Sequence, residues 1–221
     1  VKQTLNQEHL QVNLSNKILQ VRLVISGVII LSLGIACMRY SMQGTDPFVT
    51  MNIGIAQTLQ VNFGTVQMIA NVILLLVMIL YARSMIHLGT FLGVFAVGYL
   101  ADFMFSYIQQ IPYSTVTIIC FCAFGLLACC FGAALYMSGD LGIAPYDAFG
   151  LIIETKLHVR IPFRWIRIIS DCICVTIGFV LGAPIGIGTL ITAFCTGPLI
   201  TYFRTLINQR IKERTKCTVV V

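Results

Sequence analysis

Apolar residues in this chain fall into long unbroken runs. They show neither the alternation of a half-buried strand nor the one-sided stripe of a surface helix. Runs cover about 18–38, 65–81, 88–108, 115–137, 165–181 and 187–207. Each is close to the ~20 helical residues needed to cross a bilayer core of ~30 Å. Two shorter apolar segments, 48–59 and 145–157, follow the first and fourth runs. About 12 residues rising 1.5 Å each reach only ~18 Å, which is short of a crossing.

The order of long and short segments repeats, and so do the residues between them. Gly44-Thr45-Asp46-Pro47-Phe48 is echoed by Gly142-Ile143-Ala144-Pro145-Tyr146, 98 positions on, with Asp147 next in line. At the same spacing Gly34 meets Gly132, while Leu59 and Val61 meet Leu157 and Val159. One residue of slippage later, Leu88-Gly89-Thr90-Phe91 meets Ile187-Gly188-Thr189-Leu190. Phe95, Gly98 and Leu100 then meet Phe194, Gly197 and Leu199. Self-similarity at a fixed period reads as a tandem duplication. The expected organisation is a lead-in at 1–16, membrane repeats at 17–110 and 111–208, and a basic tail at 209–221. The lead-in is expected to lie on the membrane surface or to be disordered. No small-residue cleavage site closes the first run, so it reads as a spanning helix and not a removed leader.

Composition sharpens this into a class. Hydrophobic residues make up 58% of the 221 and charged ones 10%, with a mean hydropathy of +0.92. Soluble domains carry about 25% charged residues. Such a chain needs lipid as solvent, and continuous runs select helices over a barrel. The expected fold is therefore all-α, a polytopic helical membrane protein. The net charge of +6 does not point to nucleic acid, because the basic residues sit in blocks. Lys156, Arg160, Arg164 and Arg167 share one loop region, and Arg204, Arg210, Lys212, Arg214 and Lys216 crowd the C-terminal end. Blocks of this kind mark cytoplasmic ends. Of nine cysteines, only Cys217 falls in a polar stretch, and the others read as small packing residues. Neither a metal site nor a cofactor is expected.

Two topologies remain. If the short helices cross, each repeat has four spans and the repeats are parallel. If they only dip into the bilayer, each has three and the second repeat is inverted. Both place the C-terminal cluster and the 156–167 cluster on the cytoplasmic side, but they differ over Arg83. Its charge and the shortness of the two helices favour the inverted three-plus-three scheme.

Paired short helices interrupted by glycine and proline point to a transport site near the membrane midplane. A helix that starts inside a bilayer leaves its first amide groups without partners, at a cost of several kcal/mol each. The candidate binding residues are Gly44, Asp46, Pro47, Gly142, Pro145, Tyr146 and Asp147. The alternative is a pair of capped, broken helices in a packed bundle. Ionisable groups within the spans are further candidates. Asp102 is one, and Arg167 with Asp171, four residues apart on one helix face, forms another set. The aligned positions in the first repeat are Gln67 and Asn71, both polar. For Arg167–Asp171 an ion pair that orients helices is favoured slightly over a transport role. Gly93, Gly98, Ala193 and Gly197 are expected to allow close helix packing. Trp165 reads as an interface anchor. No nucleophile motif, phosphate loop or paired acid and base points to an enzyme.

In the order and duplication of these motifs the sequence resembles the YczE/YyaS/YitT family of small bacterial membrane proteins. The resemblance runs from about Ile18 to Ile207. It rests on the Gly-x-x-Pro-aromatic element after a long helix and on the Ile-Gly-Thr-Leu helix start. Leu88-Gly89-Thr90-Phe91 departs from the second motif, and 157–167 is more basic than the resemblance leads one to expect. It implies a bacterial inner or plasma membrane protein of the kind labelled a permease without an established substrate.

The expectation is a small-solute permease with both termini cytoplasmic and a central pocket between its halves. In it, Asp102 or Asp171 takes up a proton or cation, and amide groups near Pro47 and Pro145 bind the solute. Its partners are lipid and a small solute, with no nucleic acid; a homo-oligomer is compatible with the residues. The rival is a non-transporting accessory protein whose basic surface docks a soluble partner or anionic lipid. That rival needs no solute-sized cavity.

Overall fold

The computed structural model describes the backbone over residues 2–156 and 163–219, and side chains over 17–154 and 165–211. Among the described residues there are eight α-helices and no strands. They are α1 (Lys2–Ser41), α2 (Pro47–Leu59), α3 (Phe63–Tyr81), α4 (Leu88–Ile108), α5 (Thr115–Ser138), α6 (Pro145–Lys156), α7 (Phe163–Val180) and α8 (Ile187–Val219). Five stretches are long and apolar enough to cross a membrane: Lys17–Ser41, Phe63–Tyr81, Leu88–Ile108, Thr115–Ser138 and Ile187–Ile211. The sixth long helix, α7, has 18 residues, whereas α2 and α6 have 13 and 12. Each short helix thus sits between the first and second long helix of its set of four, as the apolar pattern predicts. At the two ends the helices exceed expectation: α1 already begins at Lys2, and α8 continues to Val219. The anticipated lead-in and tail are backbone continuations of spanning helices. Position 157, the expected end of α6, lies outside the described residues, as do Arg160 and the side chain of Arg164.

The outer surface is apolar, with Leu80, Phe179, Val180 and Phe194 each about three-quarters exposed (72%, 70%, 76% and 78%). That arrangement is expected where lipid tails replace water.

At the centre α1 crosses α5, the most extensive helix contact in the chain. A Cβ at Gly27 would lie 2.8 Å from the Gly132 carbonyl oxygen, and one at Gly34 would lie 2.9 Å from that of Gly125. Only glycine lets the two backbones approach this closely. The pairing also fixes direction: as α1 advances from 27 to 34, its partner retreats from 132 to 125, so the helices are antiparallel. A parallel four-plus-four arrangement would run them the same way. Three spans per half, with the second half inverted, is the arrangement found. In that arrangement Lys17, the end of α8 and Arg83 in the 3-10 turn Arg83–Met85 belong to the same end of the bundle.

The remaining contacts exchange between the two sets of four helices. α1 packs on α4 as α5 packs on α8; α2 packs on α7 as α6 packs on α3; and α2 meets α3 as α6 meets α7. One pair breaks the correspondence. α3 and α4 pack closely, with Gly64 against Gly98, but no contact of comparable extent joins α7 to α8 among the described residues. A Cβ at Gly98 would lie 3.0 Å from the Gly64 Cα, whereas one at Gly197 would meet nothing within 4 Å. The close packing expected of Gly197 is absent because no neighbouring helix lies against it, and Ala193 is exposed as well.

Asp102 has a local task in this frame. One oxygen accepts from Arg39 Nη1 at 2.7 Å, and the other accepts from the Gly64 N–H at 2.5 Å, in the first turn of α3. The guanidinium also lies 4.4 Å from the Phe63 ring centre and 4.3 Å from that of Phe105. The carboxylate caps α3 and ties it to α1 and α4.

Two stability outcomes follow. Gly34→Leu and Gly132→Leu should each cost about 1–3 kcal/mol or more, since backbone lines the site and cannot yield. Thermal unfolding in detergent checks this, and an unchanged midpoint would contradict the crossing. Asp102→Ala should cost about 3–5 kcal/mol by leaving a buried guanidinium unpaired. The double variant Arg39→Leu/Asp102→Leu should recover part of that loss in the same assay.

Candidate functional site

Both short helices start in the interior of the bundle, and the local sequence explains how. Pro47 and Pro145 are fully buried and open their helices, where the absent N–H costs nothing. Asp46 is the N-cap of α2, and its Oδ1 accepts the Phe48 N–H at 3.0 Å. Before each proline, the chain turns through a glycine in the left-handed region, Gly44 at φ +93° and Gly142 at φ +109°.

Those glycines have a second duty. A Cβ at Gly44 would collide with Thr189 Oγ1, and one at Gly142 with Thr90 Oγ1. Each Gly-x-x-Pro loop is thus seated on the Gly-Thr helix start of the opposite half. The backbone seals the contact: the Gly89 N–H donates to the Leu141 carbonyl at 2.7 Å, and the Gly188 N–H to the Gln43 carbonyl at 2.9 Å. The Thr90 hydroxyl donates to the Ile143 carbonyl at 3.2 Å, and that of Thr192 to the Thr45 carbonyl at the same distance. Gly44 and Gly142 therefore hold the frame and do not line the cavity.

The tips of α2 and α6 meet. Phe48 stacks on Tyr146, with ring centres 4.6 Å apart and planes 19° apart. Beside them lies a cavity of about 210 Å³. The short-helix starts contribute Asp46, Phe48, Pro145, Tyr146 and Asp147; α3 and α7 contribute Gln67, Asn71 and Arg167. Tyr136 of α5 and Thr192 and Thr196 of α8 complete the polar wall, with Ile35 and Val97 on the apolar side.

Charge in the site is concentrated around Arg167. Its Nη1 donates to Asp147, its Nε lies 3.4 Å from Asp171 Oδ2, and its guanidinium sits 4.5 Å from the Tyr146 ring centre. The Tyr146 hydroxyl donates to Asp171 Oδ1 at 2.6 Å. Burying a cation this far from water requires such partners. On the first-half side the equivalent places hold neutral groups: Asn52 Nδ2 donates to Gln67 Oε1 at 2.6 Å, and Asn71 is buried.

Most of the sequence-derived candidates converge here. Asp46, Pro145, Tyr146, Asp147, Asn71 and Arg167 line the cavity; Asp171 stands behind Arg167, and Pro47 is buried at the start of α2. Asp102 does not join them, because it is engaged with Arg39 and α3. The sequence reading missed Tyr136, Thr192 and Thr196 in the cavity wall, and Arg39 beside Asp102. Tyr136 carried the fairest signal, a phenol inside an apolar run whose hydroxyl needs a partner. Its hydroxyl has none here, nor does Asn52 Oδ1. Cys129 lines the same cavity, and the eight described cysteines are all free.

Comparison with known proteins places this arrangement in a family. The chain is 26% identical over 193 residues to an uncharacterized protein, YyaS, of Bacillus subtilis (strain 168), covering 86% of this chain and 94% of that one. It is 24% identical over 195 residues to the uncharacterized membrane protein YczE of the same organism, covering 86% and 89%. An uncharacterized protein of Haemophilus influenzae (strain ATCC 51907 / DSM 11121 / KW20 / Rd) is 28% identical over 183 residues, 81% of each chain. No solved structure matches. The kinship to YczE and YyaS expected from the duplicated motifs is borne out, and residues 18–205, which take in both short helices, match a family profile. This multi-pass membrane chain belongs to the family of unknown function DUF6198.

Proposed function

We propose that the chain is a small-solute permease of the bacterial plasma membrane, formed by duplication of a unit with three spans and one re-entrant helix. The observation that carries this reading is the cavity of about 210 Å³ beside the meeting tips of α2 and α6. Solute sites at the junction of inverted halves, bounded by the N-termini of broken helices, are a recurrent transporter design. A docking protein that moves nothing has no use for such a space.

The asymmetry of the two halves supplies a mechanism. α3 is closed on α4 at Gly64, Gly98 and Asp102, near the face where α1 ends. α7 and α8, which contribute Arg167 and Thr192 to the cavity wall, are not packed together to a comparable extent. In the second state the halves exchange these conformations: α7 closes on Gly197, α4 swings from α3, and the cavity changes sides. The α1–α5 crossing is the pivot. With the basic blocks held in the cytoplasm, both termini and Arg83 face inward.

Two experiments bear on this reading. In a background without native cysteines, Arg83→Cys should react with an impermeant maleimide only after the cells are opened. Met42→Cys, at the far end of α1, should react in intact cells; the reverse pattern would invert the assignment. In proteoliposomes screened against labelled solutes, Arg167→Gln should lower uptake of a carried solute about ten-fold or more, the scale of losing charge-assisted contacts. Cross-linking Gly197→Cys to a cysteine on α7 should stop turnover. Full transport with that link in place would remove the mechanism.

A further inference from the structure

We propose that the central cavity binds a small organic cation, an ammonium or guanidinium compound. As a statement about cargo this rests on the permease reading, but as a statement about binding it can be measured alone.

The first argument is charge. Asp46 and Asp147 line the cavity, and Asp171 is in contact with Arg167 behind it. Asp46 lies within electrostatic reach of all three of Asp147, Asp171 and Arg167. Three carboxylates therefore stand in or beside the cavity against one guanidinium, so acidic groups outnumber the cation there. The helix N-termini do not cancel it in favour of an anion. Asp46 already caps the start of α2, and Asp147 stands in the first turn of α6.

The second argument is an unspent polar group. Tyr136 is 5% exposed, lines the cavity, and has a hydroxyl without a hydrogen-bond partner. A Cβ at Gly93, also on the wall, would lie 3.3 Å from that hydroxyl. A buried phenol left unpaired is costly, and an N–H donor in the cavity would satisfy its oxygen lone pairs.

The third argument is that the site already holds one such cation. The Arg167 guanidinium sits over the Tyr146 ring and between two carboxylates, the environment an ammonium or guanidinium guest would need. A cargo of the same chemistry can share or displace these carboxylates as the halves exchange. Size limits it to a few heavy atoms, since about 210 Å³ is below the ~300–1,000 Å³ of pockets for drug-sized ligands.

The test is thermal stabilisation of the purified protein in detergent at matched ionic strength. Methylammonium, tetramethylammonium and guanidinium chlorides at low concentration are compared with sodium acetate and sodium phosphate. At least one organic cation should raise the unfolding midpoint, and the anions should not. Asp46→Asn keeps a good helix cap, so it should fold while weakening cation binding about ten-fold or more. Tyr136→Phe should weaken it less, and Asp140→Asn, outside the cavity, should leave it unchanged. Stabilisation by acetate or phosphate alone, by none of the probes, or by cations equally in Asp46→Asn and Tyr136→Phe would overturn the proposal. Uptake of a neutral or anionic solute that depends on Arg167 would also overturn it while leaving the permease reading intact. Absence of any uptake despite cation binding would do the opposite.

Discussion

A helix that begins inside a bilayer must find partners for its first amide groups and for the chain that leads into it, because lipid offers none. That constraint shapes this protein more than any other. Each half starts one helix in the interior, and in each the loop that leads into that start is held by the other half. The loop before α2 is held by the beginning of α8, and the loop before α6 by the beginning of α4, through paired backbone hydrogen bonds. The two halves are bound together at the places where each is incomplete.

The rest of the architecture accommodates this exchange. For each loop to reach the opposite half, α1 and α5 have to approach closely and run in opposite directions. The glycines at 27, 34, 125 and 132 make the approach feasible. The antiparallel crossing then brings Phe48 and Tyr146 into contact on the axis between the halves. Charge is distributed unevenly about that axis. One half supplies Asp147, Arg167 and Asp171, and the other offers Gln67 and Asn71 in the corresponding wall. The two halves keep matching helix contacts while lining the cavity unequally, with Asp46 the acidic group of the first half.

Much of this was legible in the residues. The length of each apolar run separated six long helices from two short ones, and the repeat at 98 positions located both Gly-x-x-Pro starts. Arg83 and helix length together favoured the inverted topology that the α1–α5 register establishes. The purpose of the Gly-Thr starts was harder to see, because a contact between Thr90 and the 142 loop spans both halves and leaves no local periodicity. Asp102 was misleading for a similar reason. A carboxylate in a spanning segment reads as a coupling group, and its partner Arg39, sixty-three residues earlier, lies just past the first apolar run. The different fates of Gly98 and Gly197 could not be read at all. They occupy matching positions, and only the conformations of the two halves distinguish them.

The account stands on the meeting of the α2 and α6 tips inside the membrane. Phe48→Cys and Tyr146→Cys, introduced together in a cysteine-free chain with a protease site at the 109–113 connector, test it directly. After treatment with a short bifunctional thiol reagent in native membranes and cleavage of the connector, the halves should migrate as one species on a denaturing gel. Two separate fragments, with each cysteine shown to be reactive, would contradict a shared interior between the halves.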